Sequence, residues 1–131
     1  MNNGIKALLA SCIMAASVGA WATPALHTAT INQNGVVVNQ SSDWIKSINL
    51  TRQKHYFANY EVRFVDGVFK QAPGFCSVSS IDTSDYDRLL YGHAKLGGAA
   101  TTEKVKVLGL MVGKKEAAED SAISFQLACT L

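Results

Sequence analysis

The sequence has little of what most catalytic and metal-binding motifs require. Its 131 residues include three cysteines, three histidines and two prolines, and only 17% of them are charged. It contains no GxSxG, HExxH or CxxC motif and no glycine-rich phosphate loop. Twelve basic and ten acidic residues leave a formal net charge of +2, and no basic stripe stands out along the chain. These absences argue against a nucleic-acid partner and against an enzyme.

The N-terminal segment, residues 1–22, has the pattern of a bacterial signal peptide. Lys6 supplies a positive charge, residues 7–19 form an apolar stretch too short to span a bilayer, and Ala20-Trp21-Ala22 matches the small-x-small pattern before a cleavage site. A buried N-terminal helix and a lipoprotein signal ending at Cys12 are the alternatives, but few apolar residues separate Lys6 from Cys12. We therefore expect a secreted or periplasmic protein that begins near residue 23 and has no membrane span.

Two cysteines, Cys76 and Cys129, remain after the predicted cleavage. In an oxidising compartment, a chain with two cysteines most often pairs them. A metal-binding or redox pair is the alternative, but no histidine lies at ligand spacing from either cysteine. Both cysteines lie on the apolar sides of alternating segments. This placement predicts a disulfide that crosses between two packed sheets.

Alternation of apolar and polar residues dominates the chain beyond a polar segment, residues 23–33, which we expect to be a flexible leader. Turn dipeptides such as Asn34-Gly35 and Asp66-Gly67 separate the alternating segments. These features and the 48% hydrophobic content predict one domain over residues 34–131, an all-β antiparallel sandwich with Trp44 in its core. The alternating segments are residues 36–38, 44–50, 60–65, 75–78, 104–111 and 123–129.

Several short motifs follow one another in a characteristic order. Trp44-Ile45-Lys46-Ser47 precedes Tyr60-Glu61-Val62-Arg63-Phe64, which is followed by Gly67-Val68-Phe69, by Pro73 and Cys76, and by a last strand ending at Cys129. This order resembles a small β-sandwich domain of phage tail fibres and secreted bacterial proteins that is related in layout to H-type lectins. The resemblance covers residues 34–130 and is weakest at 82–103. It implies a sugar-binding, oligomeric sandwich, but it transfers no individual sugar-binding residue to this chain.

Residues 84–96 fit two different structures. Tyr86, Leu89, Leu90 and His93 recur at helical spacing after a capping-box-like Ser84, but the same stretch also alternates as a strand would. Periodicity does not decide between them, and the resemblance favours the strand. A helix at 84–96 would instead suit an OB-like barrel similar to toxin B-subunits.

The same segment carries the side chains best suited to a ligand. Tyrosine and arginine are typical anchors for sugars and protein partners. Three nearby carboxylates, those of Asp82, Asp85 and Asp87, could also coordinate Ca²⁺, but a solvated loop with a helix cap is favoured and no cofactor is expected. The candidate ligand-binding residues are Asp85, Tyr86, Asp87, Arg88, Tyr91 and His93.

The sequence thus predicts a non-catalytic binding module for a glycan or a cell-surface ligand. Homo-oligomers are expected, because weak single sites gain avidity from multivalency. A periplasmic inhibitor or immunity protein and a toxin B-subunit-like receptor-binding protein are the alternatives. A hydrolase would need a pocket that joins His93 to an acidic side chain.

Overall fold

The computed structural model describes residues 25–116 and 118–131, together with Gly19. The predicted signal peptide, residues 1–22, otherwise lies outside the described residues. The elements are β1 (His27–Ile31), β2 (Val37–Gln40), β3 (Ile45–Gln53), β4 (Phe57–Phe64), β5 (Phe75–Ser80), α1 (Tyr86–Tyr91), β6 (Gly92–Leu96), β7 (Lys104–Met111) and β8 (Phe125–Thr130).

The strands form two antiparallel four-stranded sheets. Sheet A has the order β2-β1-β8-β5, and sheet B has the order β3-β4-β7-β6. In each strand alternate side chains point toward the other sheet, so the apolar members of the alternating segments meet in one core. The prediction of an all-β sandwich is confirmed. Each sheet also has an outer face, which is the side that points away from the other sheet.

Trp44 lies in the core, as expected, at one end of the sandwich. Its side chain is fully buried and stacks on Phe64 at a centroid distance of 5.5 Å. Its indole N–H donates a hydrogen bond to the carbonyl oxygen of Thr28 at 3.0 Å, so the polar atom is satisfied where the ring is buried. His27 packs on the same indole at 5.5 Å. The aromatic cluster therefore ties β1 of sheet A to the end of β4 and to the residue that precedes β3 in sheet B.

The expected flexible leader is wrong for residues 27–31, which form strand β1. This strand lies inside sheet A, paired with β8 on one side and β2 on the other. Ala29 and Ile31 are buried, and Thr28 and Thr30 face outward. Two apolar residues in a five-residue strand give a weak sequence signal, whereas pairing with two neighbours makes the strand stable. Asn34-Gly35 then forms the expected turn, with Gly35 at a φ of 76°.

The disulfide between Cys76 and Cys129 is present, but its expected placement between the two sheets is wrong. β5 and β8 are neighbours in sheet A, and the two cysteines are direct partners in the antiparallel register, with a Cα–Cα distance of 4.1 Å. Both side chains point to the inner face of that sheet. Alternation correctly indicates the face of each cysteine, but it does not reveal which strands are neighbours. The disulfide therefore fastens β5, an edge strand, to the centre of its own sheet.

Residues 84–96 combine both structures that their periodicity allows. Tyr86–Tyr91 form the short helix α1, and Gly92–Leu96 form strand β6 at the edge of sheet B. Asp85 caps the helix and Gly92 ends it. The favoured all-strand interpretation is wrong for α1 and correct for β6. The OB-like alternative is wrong about the architecture, since the strands form two separate sheets.

The hydroxyl group of one buried tyrosine links sheet B to two backbone segments that lead into strands of sheet A. Tyr60, on β4 of sheet B, is fully buried. Its hydroxyl donates a hydrogen bond to the carbonyl oxygen of Gln33 at 2.7 Å and accepts one from the backbone N–H of Ile123 at 3.0 Å. Burial raises the pKa of Tyr60 to about 12, so the neutral, hydrogen-donating form is the one present. The segments before β2 and before β8 are therefore both held by this tyrosine.

Tyr60→Phe should destabilise the protein without changing the fold. The substitution leaves the partly buried carbonyl of Gln33 and the buried N–H of Ile123 without this partner, which costs about 1–3 kcal/mol of unfolding free energy. Urea unfolding followed by fluorescence measures the difference. Tyr56→Phe is the matched control, because the Tyr56 side chain is 66% exposed. Equal midpoints for the two variants would contradict the bridging role of the Tyr60 hydroxyl.

Replacing both Cys76 and Cys129 by alanine should lower stability by about 4 kcal/mol, because the bridge closes a loop with a sequence separation of 53 residues. The measurement is the difference in urea midpoint between the double variant and the parent protein. A thiol titration of the unfolded parent protein serves as the control and should find no reactive group at either position. Two free thiols, or an unchanged midpoint, would show that the bridge does not form in solution.

Candidate functional site

The six candidate residues of the α1 region do not converge on one site. Tyr86 projects into solvent with 82% of its surface exposed, and His93 is exposed on the outer face of sheet B. Tyr91 is half-buried and lies beside Gly113. Asp87 forms an ion pair with Lys114 at 2.5 Å. These groups point in different directions, because α1 is a single short turn of helix followed at once by a strand.

Arg88 has a structural role that its sequence position did not reveal. Its side chain is only 18% exposed, and its Nε donates a hydrogen bond to the carbonyl oxygen of Ala122 at 2.9 Å. Its guanidinium also contacts the carboxylate of Asp85 at 2.5 Å and lies 3.7 Å from that of Asp120. Arg88 therefore fastens α1 to the segment that precedes β8, and its guanidinium is engaged by groups of the chain itself.

Asp82, a candidate Ca²⁺ ligand, is occupied by hydrogen bonds within the chain. It is 4% exposed, and its oxygens accept from the N–H and hydroxyl of Ser84, at 2.9 and 2.5 Å, and from the N–H of Ser124 at 2.9 Å. Asp85 caps the helix by accepting from the Arg88 N–H at 2.7 Å. Among residues 25–116 and 118–131, no group of three acidic, histidine or cysteine side chains is arranged to hold a metal ion.

The electrostatics of Asp82 follow from these contacts. Burial raises the pKa of its carboxyl, but the hydrogen bonds from Ser84 and Ser124 and the charge of Arg88 outweigh that effect, and the net pKa is lowered. The pKa of Asp85 is also lowered, mainly by the hydrogen bond from the Arg88 N–H. Folding therefore favours the ionised form of both carboxyl groups over the protonated form, relative to the unfolded chain.

A groove of about 420 Å³ lies on the outer face of sheet A. None of the described residues that line it is charged. Side chains project into it from all four strands, because outward positions of neighbouring strands fall in register. One row consists of Ser79, Gln126, Thr30 and Asn39, and the next consists of Ser77, Ala128 and Thr28.

The groove offers hydroxyl and amide groups over a broad, shallow surface. Ala128, at its centre, is small and leaves room above the sheet, while Gln126 beside it is exposed. The exposed Phe75 lies two positions before Ser77 on the same strand, so an aromatic ring borders one end. We name this surface the sheet A groove. Its chemistry suits an uncharged ligand rich in hydroxyl groups, which exchanges hydrogen bonds with hydroxyls and amides and stacks on an aromatic ring.

Sequence reasoning did not identify the sheet A groove. Thr28 and Thr30 fall in the expected leader, Ser77 is a polar position of the predicted strand 75–78, and Ser79 lies beyond that segment. The available signal was the outward alternation of Ser, Thr, Asn and Gln in strands that lack charged residues. Which strands lie side by side is a property of the sheet order alone, and the groove depends on that order.

No protein-family model, curated protein or solved structure matches this chain. The resemblance to phage tail-fibre and H-type lectin domains therefore stays a prediction.

Acid unfolding should depend on Asp82. Its folded-state pKa lies below its unfolded value near 3.8, so its stabilising effect is complete above that value and is lost as the pH falls through the folded-state pKa. Asp82→Asn should therefore lower stability at pH 7 and flatten the pH dependence of stability below pH 4. Urea midpoints measured from pH 7 to pH 2.5 test this.

Asp66→Asn is the matched control for Asp82→Asn, because the Asp66 side chain is 90% exposed and pairs only with Lys46 on the surface. Between pH 4 and pH 2.5, the urea midpoint of Asp66→Asn should fall with pH in the same way as that of the parent protein. An Asp82→Asn curve parallel to both of the others would rule out the proposed electrostatic role.

Proposed function

We propose that the protein is an exported, non-catalytic binding module whose sheet A groove recognises an uncharged saccharide, displayed as a glycan or on a cell surface. The observation that supports this most directly is the groove's lining, in which uncharged hydroxyl and amide side chains from four strands share one surface. Sugar recognition relies on many such hydrogen bonds to ring hydroxyls, each modest in net effect.

Three further observations support a binding role over catalysis. Both cysteines outside the predicted signal peptide are joined in a disulfide, so neither provides a thiolate nucleophile. His93, the histidine considered for a hydrolase, is exposed on a strand of sheet B. The acidic cluster around Arg88 is engaged in holding α1 in place.

Export is supported by the disulfide and by the signal-like sequence of residues 1–22. Stable disulfides form in oxidising compartments such as the periplasm or the cell exterior. No helix in the described part of the chain is long and apolar enough to cross a membrane.

The second candidate is a protein partner, as for an inhibitor or immunity protein. Apolar side chains are exposed together around α1, where Leu89 and Leu90 are 54% and 66% exposed and Tyr86 is 82% exposed. Val112 lies near them, since its N–H donates to the carbonyl oxygen of Tyr91. Clustered exposed apolar groups are typical of protein interaction sites.

Titration of the ¹⁵N-labelled protein with neutral oligosaccharides, such as maltohexaose, cellohexaose and chitohexaose, tests the proposal. At least one of them should shift amide resonances of β1, β5 and β8. Gln126→Ala should weaken that binding up to about tenfold, because it removes hydrogen bonds worth roughly 1 kcal/mol. Ala128→Arg should abolish it, because a long charged side chain would fill the groove.

Gln53→Ala is the matched control, because Gln53 is an exposed strand glutamine on sheet B and should leave affinity unchanged. Resonance shifts confined to α1 would move the site to the second candidate surface. No shift with any of the three neutral sugars at millimolar concentration would contradict recognition of these saccharides.

A further inference from the structure

The outer face of sheet B differs from that of sheet A in its charge. Alternation along β4 and β7 places Arg63, Lys104 and Lys106 on this face, and β6 adds Lys95. In the register Arg63 is opposite Lys104, and Lys95 is opposite Leu108, the next outward residue after Lys106. We name these four side chains the sheet B cation patch.

One carboxylate, that of Glu61, lies within the patch and does not neutralise it. Glu61 is 17% exposed and contacts Lys104 at 3.0 Å and Arg63 at 2.7 Å. The hydrogen bond from Lys104 lowers the pKa of Glu61, so this residue is ionised and contributes one negative charge. Four cations against one carboxylate leave a net charge of +3 on a chain whose total is +2.

Two cations of the patch face solvent without an ion-pair partner in the described chain, although Lys106 lies opposite Glu61 in the strand register. Lys95 and Lys106 are exposed and form no ion pair with any residue of 25–116 or 118–131. Gly97 lies opposite Lys106, with its N–H donating to the Lys106 carbonyl oxygen at 2.8 Å. A Cβ at Gly97 would lie 3.1 Å from the Cβ of Lys106, so the glycine leaves room for the lysine stem. A depression of about 200 Å³ beside both Lys104 and Lys106 is bounded by the loop that begins at Gly97.

The spacing of the patch favours a polymer over a single anion. Neighbouring strands are about 4.8 Å apart and alternate residues of one strand about 6.8 Å apart, so the cations form an array. An exposed ion pair contributes roughly 0–1 kcal/mol. A single small anion would therefore bind weakly, while a chain with repeated anionic groups would engage several cations at once.

The neighbours of the patch favour a polysaccharide among polyanions. Strand β3 borders it with the exposed Ser47, Asn49 and Thr51, which can pair with sugar hydroxyls. Phe57, the aromatic residue that β4 presents on this face, is half-buried, which is a poor platform for base stacking. Leu89 and Leu90, which could anchor the protein in a membrane surface, are exposed on α1 and not among the cations.

We propose that the sheet B cation patch binds an anionic polysaccharide, one that carries repeated carboxylate or sulfate groups. The site is separate from the sheet A groove and does not depend on the neutral-saccharide function proposed for it. A protein with both sites contacts two kinds of sugar surface through opposite faces of one sandwich.

The test uses the purified, disulfide-intact protein and four probes: dextran sulfate, polygalacturonate, vesicles containing 30% phosphatidylglycerol, and single-stranded DNA. Binding to at least one of the polysaccharides should exceed binding to the vesicles and to DNA at equal anionic-group concentration. Lys95→Gln with Lys106→Gln should weaken polysaccharide binding at least tenfold and reduce the slope of log affinity against log salt by about two.

Lys70→Gln with Lys115→Gln is the matched control, because it removes the same charge at exposed positions outside the patch. It should change affinity less than twofold, and equal urea midpoints confirm that both double variants fold. Equal losses in the two double variants would show an effect of net charge alone and would overturn the proposal. If the vesicles or the DNA bound more tightly than both polysaccharides, the proposal would also be overturned.

Discussion

Alternation of side chains along eight strands is the constraint on which the rest of this structure depends. Because the strands send alternate residues inward, Ile31, Tyr60 and Phe125 are buried together with the aliphatic residues between the sheets. The intervening residues then lie on the outer face of their sheet. A one-residue slip of any strand would expose its apolar residues, so burial of the core also fixes the composition of both outer faces.

Strand β8 and the segment before it connect most of the remaining features to that core. The disulfide attaches β5 to β8, the Tyr60 hydroxyl holds the Ile123 N–H, and Asp82 holds the Ser124 N–H. Arg88 adds a hydrogen bond to the Ala122 carbonyl oxygen. The backbone polar groups of residues 122–124 thereby have hydrogen-bond partners, which a buried segment without regular secondary structure requires.

The two outer faces have separate consequences for function. Sheet A presents uncharged hydroxyl and amide groups around Ala128, and sheet B presents the cation patch that includes Lys95 and Lys106. In both proposals the ligand is an extended saccharide held by many weak contacts. Such binding gains most when several copies of a site act together, and the homo-oligomer stays a prediction.

By itself the sequence determined the all-β class, the face of most residues in the alternating segments and the pairing of Cys76 with Cys129, because these depend on local alternation and on a count of two cysteines. The tertiary structure alone decided which strands are neighbours. That order turned the disulfide into a link within one sheet, made residues 27–31 an inner strand and placed Arg63 of β4 beside Lys104 of β7. It also directed Arg88 into the protein. Strand order follows from long-range packing, and alternation of period two carries no information about it.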